Sequence, residues 1–412
     1  MLRCLHAAVA VFLASSALGA ETLTVAVFPK LDEAVRLVLP AWNQRHPDVP
    51  IRLMVLGYAD HHNRLATQLA GTANVPDVVG IETSYLGRFK AAGVLENLAA
   101  SPYLAGQLQP RFVHYAFAQT TEADGRILAL PADIGPGTLF YRKDLFDRCG
   151  IQESGLTDSW AGLLAAGRKL KAKTGAYLVA NPRELKELYL HATLKEGEGL
   201  YFDQNGKSLV ESDRFVQAFE LARAARKAGI DARINTWTNE WAAMLRNGKI
   251  AIVPSGSWFA GPLASWIAPS TAGHWRVTDL PVRGNAAWGG SFYAIPKQAG
   301  HKALAWELIQ LLTDRNNQLN ALRAPALQAF PALNDAQQDP IFDSPMSFFG
   351  GQTALQVWRH AAQATPATHL DRNDPVAVDL VDAALDSVLV GGKDIRAALA
   401  KARAQIELRT QR

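Results

Sequence analysis

The sequence reads as an α/β protein of two lobes, and three observations lead there. β-rich runs alternate with amphipathic helical runs from residue 22 onward, as in a parallel sheet covered on both faces. Proline and glycine punctuate strand-like segments near Pro131, Pro281 and Phe330, where a chain would leave one compact body and enter another. A chain of 412 residues, even without a leader, is long enough to bury two substantial cores.

The first twenty residues, "MLRCLHAAVAVFLASSALGA", begin with Arg3, run apolar from Ala7 to Leu13 and reach small residues at Ala17, Gly19 and Ala20. That is the layout of a cleaved secretory signal. The apolar part is too short for a transmembrane helix, which needs roughly 20 residues, and no later segment has that many without a charge. A soluble mature protein is expected, starting near Ala20 or Glu21. Cys4 precedes the apolar run, whereas a lipid-anchor cysteine follows it, so the expected product is a free periplasmic protein of a Gram-negative cell. Cys149 is then the remaining cysteine and has no internal partner, so the cores must hold by burial.

With 42 Lys and Arg against 38 Asp and Glu, the formal charge is only +4, and the basic residues are dispersed. No stripe for nucleic acid is present. The short patches "RKLKAK" (168–173) and "RAARK" (223–227) lie on amphipathic helical patterns and read as solvated faces.

In order, the mature chain reads strand ("TLTVAVF"), helix ("DEAVRLVLPAWNQRHP"), strand ("IRLMVL"), helix ("HHNRLATQLAGT") and strand ("PDVVGI"). Ligands on such sheets bind beyond the carboxyl ends of the strands. The residues there are Phe28 and Pro29, Gly57 to Asp60 including Tyr58, and Glu82 to Tyr85. The punctuated segment "ILALPADIGPGTLFYRKDLF" follows. Next come helix "WAGLLAAGRKLKAKTG", strand "AYLVA", helix "PRELKELYLHATLK", a hairpin turning at "DQNGK", helices "SDRFVQAFELARAARKAG" and "NEWAAMLRNGK", and strand "IAIVPS". Strand "SFYAIP" and helix "HKALAWELIQLLTD" look like a return to the first lobe, and three breaker-free helical patterns close the chain.

Four stretches carry a resemblance. "PDVVGIETSYLGRFKAAGVLENL", "LPADIGPGTLFYRKDLFDRCGI", "NGKIAIVPSGSW" and "WGGSFYAIPKQAGHKALAWELIQLLTD" resemble, in order and spacing, the extracellular solute-binding proteins of ABC importers. The similarity is to the large carbohydrate-binding family that includes the maltose-binding protein, and it covers essentially the whole mature chain. It implies a type II periplasmic binding protein with two α/β lobes, each a sheet flanked by helices, joined by a multi-strand hinge. The cleft between them closes on a carbohydrate that is handed to inner-membrane permease subunits. The lobes it implies are 21–131 with 282–330, and 132–281 with 331–412, after a signal peptide at 1–20. A monomer without cofactor or metal is expected. Where maltose binders carry charged residues past the third strand this chain has Glu82, Thr83, Ser84 and Tyr85, so the particular sugar does not carry over.

A sugar offers an apolar face of ring C–H groups and a rim of hydroxyls, so its site needs aromatic plates and short polar partners. Six tryptophans fall between 237 and 288, and most are expected in the core. Trp258 and Trp288 are the exceptions. Trp258 follows Ser255, Gly256 and Ser257 at a strand end and matches the family's stacking position. Trp288 precedes Gly289 and Gly290, whose bare backbone a ligand could approach. A β-branched residue at Gly290 is expected to block the ligand while leaving the strand intact. Asp133, between Pro131 and Gly135, is either a bidentate acceptor for paired hydroxyls or a turn cap. Glu82, Ser84 and Tyr85 either line the cleft or cap the following helix. His61 and His62 lack further ligands at a metal spacing and read as a solvated helix start.

Two other classes compete. An enzyme would need a motif the chain lacks: H-E-x-x-H and G-x-S-x-G are absent, and "GGKD" (391–394) is not a phosphate loop. A glycoside-acting enzyme with two cleft carboxylates is the form that remains. Ferric iron or polyamine capture would need clustered tyrosines or carboxylates. The leader makes the first testable statement: mass spectrometry of the protein from its native host should show a start at Ala20 or Glu21, whereas an intact Met1 or a lipidated cysteine would refute export as a free protein.

Overall fold

The computed structural model describes residues 21–71, 74–325 and 327–410. The leader expected over residues 1–20 lies outside the described residues. The first unit runs β1 (Leu23–Val27), α1 (Leu31–Arg45), β2 (Ile51–Val55), α2 (Tyr58–Ala70), β3 (Val78–Glu82) and α3 (Thr83–Ala92), the expected βαβαβ order. β1 pairs in parallel with both β2 and β3, and its residues LTVAV are all buried, as a strand covered on both faces must be. α1 presents Leu31, Val35, Val38 and Trp42 to the sheet at helical spacing. The Trp42 indole, 1% exposed, donates to the Val49 carbonyl at 2.8 Å and so fixes the turn back into β2.

The sheet continues through strands that arrive much later in the chain. Its order is β2-β1-β3-β7-β4-β5, with β6 also on β4, where β4 is Leu130–Arg142, β5 Ile252–Gly256, β6 Trp275–Thr278 and β7 Ala287–Ala294. β7 lies antiparallel between β3 and β4. β4 is 13 residues long and serves two neighbourhoods. Its first half, from Leu130 to Pro136, pairs with β7, and its second half pairs with β5 (Gly137 opposite Gly256) and β6 (Leu139 opposite Thr278). Two register shifts interrupt the β4–β7 ladder, between Pro131 and Asp133 and between Ile134 and Pro136. Such bulges bend a strand and raise its twist. A side chain at Gly135 would sit 2.2 Å from the Trp288 carbonyl oxygen, so the second shift exists only with glycine there.

The third crossing is tied to the same place, since the Ile134 N–H donates to the Phe330 carbonyl at 3.0 Å. Beyond Phe330 the chain stays bonded to the first unit as far as Asp335, through Val113 N–H to Ala332 O (2.9 Å), Asn334 N–H to Arg111 O (2.7 Å) and the Arg111–Asp335 ion pair. It then passes to the helix Ala354–Ala364, whose Trp358 indole donates to Thr138 Oγ1 of β4 at 3.0 Å. The expected strand "AYLVA" is only a pair of bridges, Tyr177 to Ile250 and Val179 to Asp231. The helices Asp213–Lys227, Asp374–Leu389 and Ile395–Thr410 share a core around Phe215, Phe219, Leu385 and Leu399. Cys149 is a buried free thiol. Among the described residues no helix is long and apolar enough to cross a membrane.

The bulge supplies a stability test. Gly135→Ala should lower the urea midpoint by about 1–3 kcal/mol equivalent, because its methyl meets backbone and not a movable side chain. Gly106→Ala, where the nearest atom would be Ile127 Cδ1 at 3.8 Å, should leave the midpoint unchanged or raise it slightly.

Candidate functional site

The carboxyl ends of β1 and β3 and the first turns of α2 and α3 bring Phe28, Tyr58, Glu82, Ser84 and Tyr85 together. Phe28 is 7% exposed and meets the Tyr58 ring edge-on at 5.7 Å. The Tyr58 hydroxyl donates to Glu82 Oε2 at 2.5 Å and lies 3.0 Å from Ser84 Oγ. The Ser84 hydroxyl also bonds Oε2, and the Ser84 N–H donates to it at 2.9 Å, which makes Glu82 the N-cap of α3. Of the two alternatives in the sequence, capping is the one these hydrogen bonds show. Burial raises the Glu82 carboxyl above its ordinary range, while these donors pull it back toward the charged form. Burial, with the Glu82 charge beside it, raises the Tyr58 phenol well beyond its ordinary value.

His61 and His62 are not a solvated helix start: they are 3% and 0% exposed. Their positions follow from α2 geometry, which turns both rings back onto β1 and β3, where backbone groups past the strand ends lack ladder partners. His61 Nε2 bonds the Gly80 carbonyl at 2.8 Å. His62 Nδ1 lies 2.7 Å from the Tyr58 carbonyl and must donate to it, so Nε2 carries no proton and accepts the Glu82 N–H at 3.1 Å. The His62 ring also stacks on Tyr85 at 4.0 Å and 7°.

From the other side of the sheet come Gly289, Gly290 and Trp258. Both glycines have positive φ, 83° and 136°. Thr83 Oγ1 donates to the Gly290 carbonyl at 3.0 Å. A side chain built at Gly289 would lie 3.0 Å from Trp258 Nε1 and 3.6 Å from Glu82 Oε1, so that bare backbone is where the two halves of the site meet. The expectation that Gly290 tolerates a β-branched residue is corrected: at φ 136° any side chain is strained, and it would stand 3.2 Å from the Asp133 carbonyl oxygen.

The Trp258 indole N–H donates to the Trp288 carbonyl at 2.8 Å, so the two tryptophans are linked through backbone. The Trp288 ring stacks on His191 at 4.8 Å and 24°, against the core that surrounds Leu139 and Leu188. Of the other clustered tryptophans, Trp241 and Trp275 are buried as expected, at 1% and 0% exposure. Trp237 and Trp266 are not core: they are 52% and 54% exposed.

Asp133 lies in β4 opposite Ser291, which is itself opposite Glu82, so the three side chains form a row across β4, β7 and β3. Ser291 donates to Asp133, and burial pushes its carboxyl up to about 6, with the Glu82 charge adding to the shift. It is a strand residue beside a register shift and not a turn cap. Its crevice is lined by Leu31, Asn317 and Gln318 rather than by the tryptophans.

Two helices from which the sequence reading took no site residue, Pro182–Ala192 and Asp374–Leu389, carry further charged groups. Asp379 is close enough to Tyr85 for its charge to raise the phenol. Asp382 accepts from the fully buried Lys186 at 2.6 Å, Lys186 also pairs with Glu187, and Arg183 pairs with Asp386. His191 joins Glu187 to Trp288, with Nε2 3.6 Å from the carboxylate. The spacing of Asp379, Asp382 and Asp386 along one helix face was the available signal, but in sequence it looks like any solvated face. Among the described residues no group of three His, Cys, Asp or Glu is arranged to hold a metal ion.

Residues 39–349 match the family of bacterial extracellular solute-binding proteins. The chain belongs to that family. It is 22% identical over 334 residues, 77% of this chain and 73% of the relative, to an arabinooligosaccharide-binding protein of Halalkalibacterium halodurans. It is 25% identical over 296 residues, 70% of this chain and 63% of the relative, to a mannitol-binding protein of Pseudomonas aeruginosa. Its fold is also similar to the sugar-binding protein MalE of Xanthomonas citri, with TM-score 0.78 and 20% identity over 94% of this chain and 96% of that one.

In this solute-binding protein the neutral state of His62 leaves a pH signature. Burial lowers its folded pKa from 6.5 to about 4. Below pH 6.5 the unfolded chain takes up a proton that the folded chain refuses until about pH 4, so stability falls as pH falls through that window. The loss is on the order of 3 kcal/mol. Asp133 acts in the opposite sense, since a raised carboxyl favours the fold on acidification. His62→Gln isolates the histidine: by urea unfolding, the stability difference between wild type and variant should shrink by about 3 kcal/mol from pH 7 to pH 4. A constant difference would refute the buried neutral imidazole.

Proposed function

We propose that this chain is the periplasmic sugar-capturing component of an ABC importer, holding a carbohydrate between its two α/β halves and delivering it to inner-membrane permease subunits. The observation that carries the reading is the meeting of Glu82, Gly289 and Trp258. Three donors converge on Glu82 Oε2, while Oε1 faces the bare Gly289 backbone beside the Trp258 indole. An acceptor carboxylate, unobstructed backbone and an aromatic face within a few ångströms are what a sugar hydroxyl rim and its C–H face require. Phe28, Tyr58, Ser84 and Tyr85 complete the β1–β3 side. Asp379, Glu187, His191 and Trp288 stand on the facing side, and Asp133 adds an acceptor at the crossing.

Family membership and the sugar-binding relatives support capture without chemical conversion. Ferric iron capture has no support among the relatives, which are named for an arabinooligosaccharide and for mannitol. The same holds for a polyamine. The lobes of this reading are 21–131 with 282–330 and 132–281 with 331–412, joined at β4, β7 and the segment after Phe330. The protein works as a monomer, because both faces of the site come from one chain.

A thermal-shift panel of sugars, polyols, spermidine and ferric citrate tests the class. A bound sugar at 100 times its Kd should add about 2.7 kcal/mol of stability and reduce the radius of gyration in small-angle scattering. Glu82→Gln should weaken that sugar by about tenfold or more, since a buried hydroxyl loses its charged acceptor. Its melting temperature should also fall, because Glu82 caps α3 and accepts the Tyr58 and Ser84 hydroxyls, so affinity is compared at a temperature where both proteins are folded. Stabilisation by spermidine or ferric citrate alone, or turnover of an oligosaccharide, would overturn the proposal.

A further inference from the structure

Trp237 and Trp266 stand in water beside the site, about half exposed, although Trp241 and Trp275 of the same stretch are buried. The Trp237 ring lies near-parallel to Trp258 at 5.9 Å and 20°, and the Trp266 ring follows Trp237 at 6.5 Å and 43°. The three indoles therefore form a continuous run that starts at the Glu82–Gly289 meeting point and leads outward. Packing holds the middle ring in place: buried Phe259 meets Trp237 edge-on at 5.9 Å, and buried Trp241 tilts against it at 5.2 Å. The backbone of Trp237 is left-handed, with φ 64°. That conformation costs a bulky residue about 1–2 kcal/mol, and it is pinned by the next residue, Thr238, whose hydroxyl caps the helix Asn239–Arg246 by accepting the Trp241 N–H at 3.1 Å. A strained backbone that turns a large apolar ring into solvent works against folding twice over, and such outliers belong to functional surfaces.

We propose that Trp237 and Trp266 extend the sugar site outward from Trp258, so that the ligand is an oligosaccharide of three or more rings and not a monosaccharide or an acyclic polyol. The inference rests on the reading of the cleft as a sugar site. A ring sugar offers a flat C–H face to an indole, whereas a polyol has no fixed face to stack, so a run of plates serves only a run of rings. Trp266 carries the aromatic surface beyond Trp237, and the outer sugar rings keep their hydroxyls in water because both indoles are half exposed.

The test is calorimetry of the full mature chain against arabino- and malto-oligosaccharides of one to five rings and against mannitol. Wild type should gain about tenfold in affinity between two and four rings in the series it binds, the size expected of an added aromatic contact. Trp266→Ala should erase that gain while leaving the one- and two-ring ligands within about twofold of wild type. Trp266→Phe should restore part of it. Trp237→Ala should act in the same way, and the two Trp266 variants decide the matter if Trp237→Ala does not fold. Affinity that peaks at one ring or at mannitol, or a length gain that survives Trp266→Ala, would overturn the proposal. Concentration-dependent dimerisation lost in Trp266→Ala would overturn it too, by giving the patch to a second copy. If wild type binds neither series nor any sugar of the thermal-shift panel, the sugar reading itself has failed.

Discussion

The ladder between β4 and β7 is the constraint on which the rest of the structure depends. β4 belongs to both neighbourhoods of the sheet, and its change of partner happens within a few residues, from Ile134 opposite Gly290 to Gly137 opposite Gly256. The chain can make that change only by bringing backbone against backbone. Gly135 and Gly256 each lie where a side chain would strike the Trp288 carbonyl, at 2.2 and 2.3 Å. The same carbonyl accepts the Trp258 indole N–H. One oxygen atom thus sets the bulge, the approach of β5 and the orientation of the aromatic plate, so the crossing of the strands and the construction of the site are one packing problem.

Glu82 plays the corresponding part on the β1–β3 side. Its carboxylate caps α3 and takes the Tyr58 and Ser84 hydroxyls, while its N–H goes to His62. The histidine's tautomer is dictated by the Tyr58 carbonyl, so Tyr58, His62 and Glu82 form a closed circuit in which each group has one available role. Burial disfavours the charge on Glu82 and the proton on His62 together, and the circuit resolves both with hydrogen bonds in place of a salt bridge. The Phe28 and Tyr85 rings pack against this circuit, which holds their faces in fixed positions before any ligand arrives.

The order of elements was legible because periodicity is local. The buried LTVAV strand and the amphipathic α1 and α2 stand where the pattern put them. The ends of the first three strands were legible for the same reason, and they hold five of the residues named in advance. What could not be read was anything set by direction in space. His61 and His62 follow the N-terminal turn of α2 and read as exposed, yet their rings turn inward to carbonyls supplied by Gly80 and Tyr58. Trp288 was expected to be a plate from its neighbours Gly289 and Gly290, and the sequence could not show that its ring stacks on His191. Asp379 and Lys186 were invisible because their partners, Tyr85 and Asp382, are far away in sequence and only the fold brings them together.

The distribution of polar and aromatic groups gives the site a direction. Charged and hydroxyl acceptors concentrate at the inner end, around Glu82, Ser291 and Asp133, where desolvation makes each hydrogen bond strong and each unmade one expensive. Indoles succeed one another outward from Trp258 to Trp266, where water is available and stacking needs no exact partner. In the proposed reading the inner end rejects a ligand whose hydroxyls are misplaced, because Glu82 Oε1, which faces the bare Gly289 backbone, would lose water without gaining a partner. The outer end discriminates weakly among rings and rewards their number. Specificity and reach are separated along one line, and the Trp288 carbonyl that fixes Trp258 marks the point where one gives way to the other.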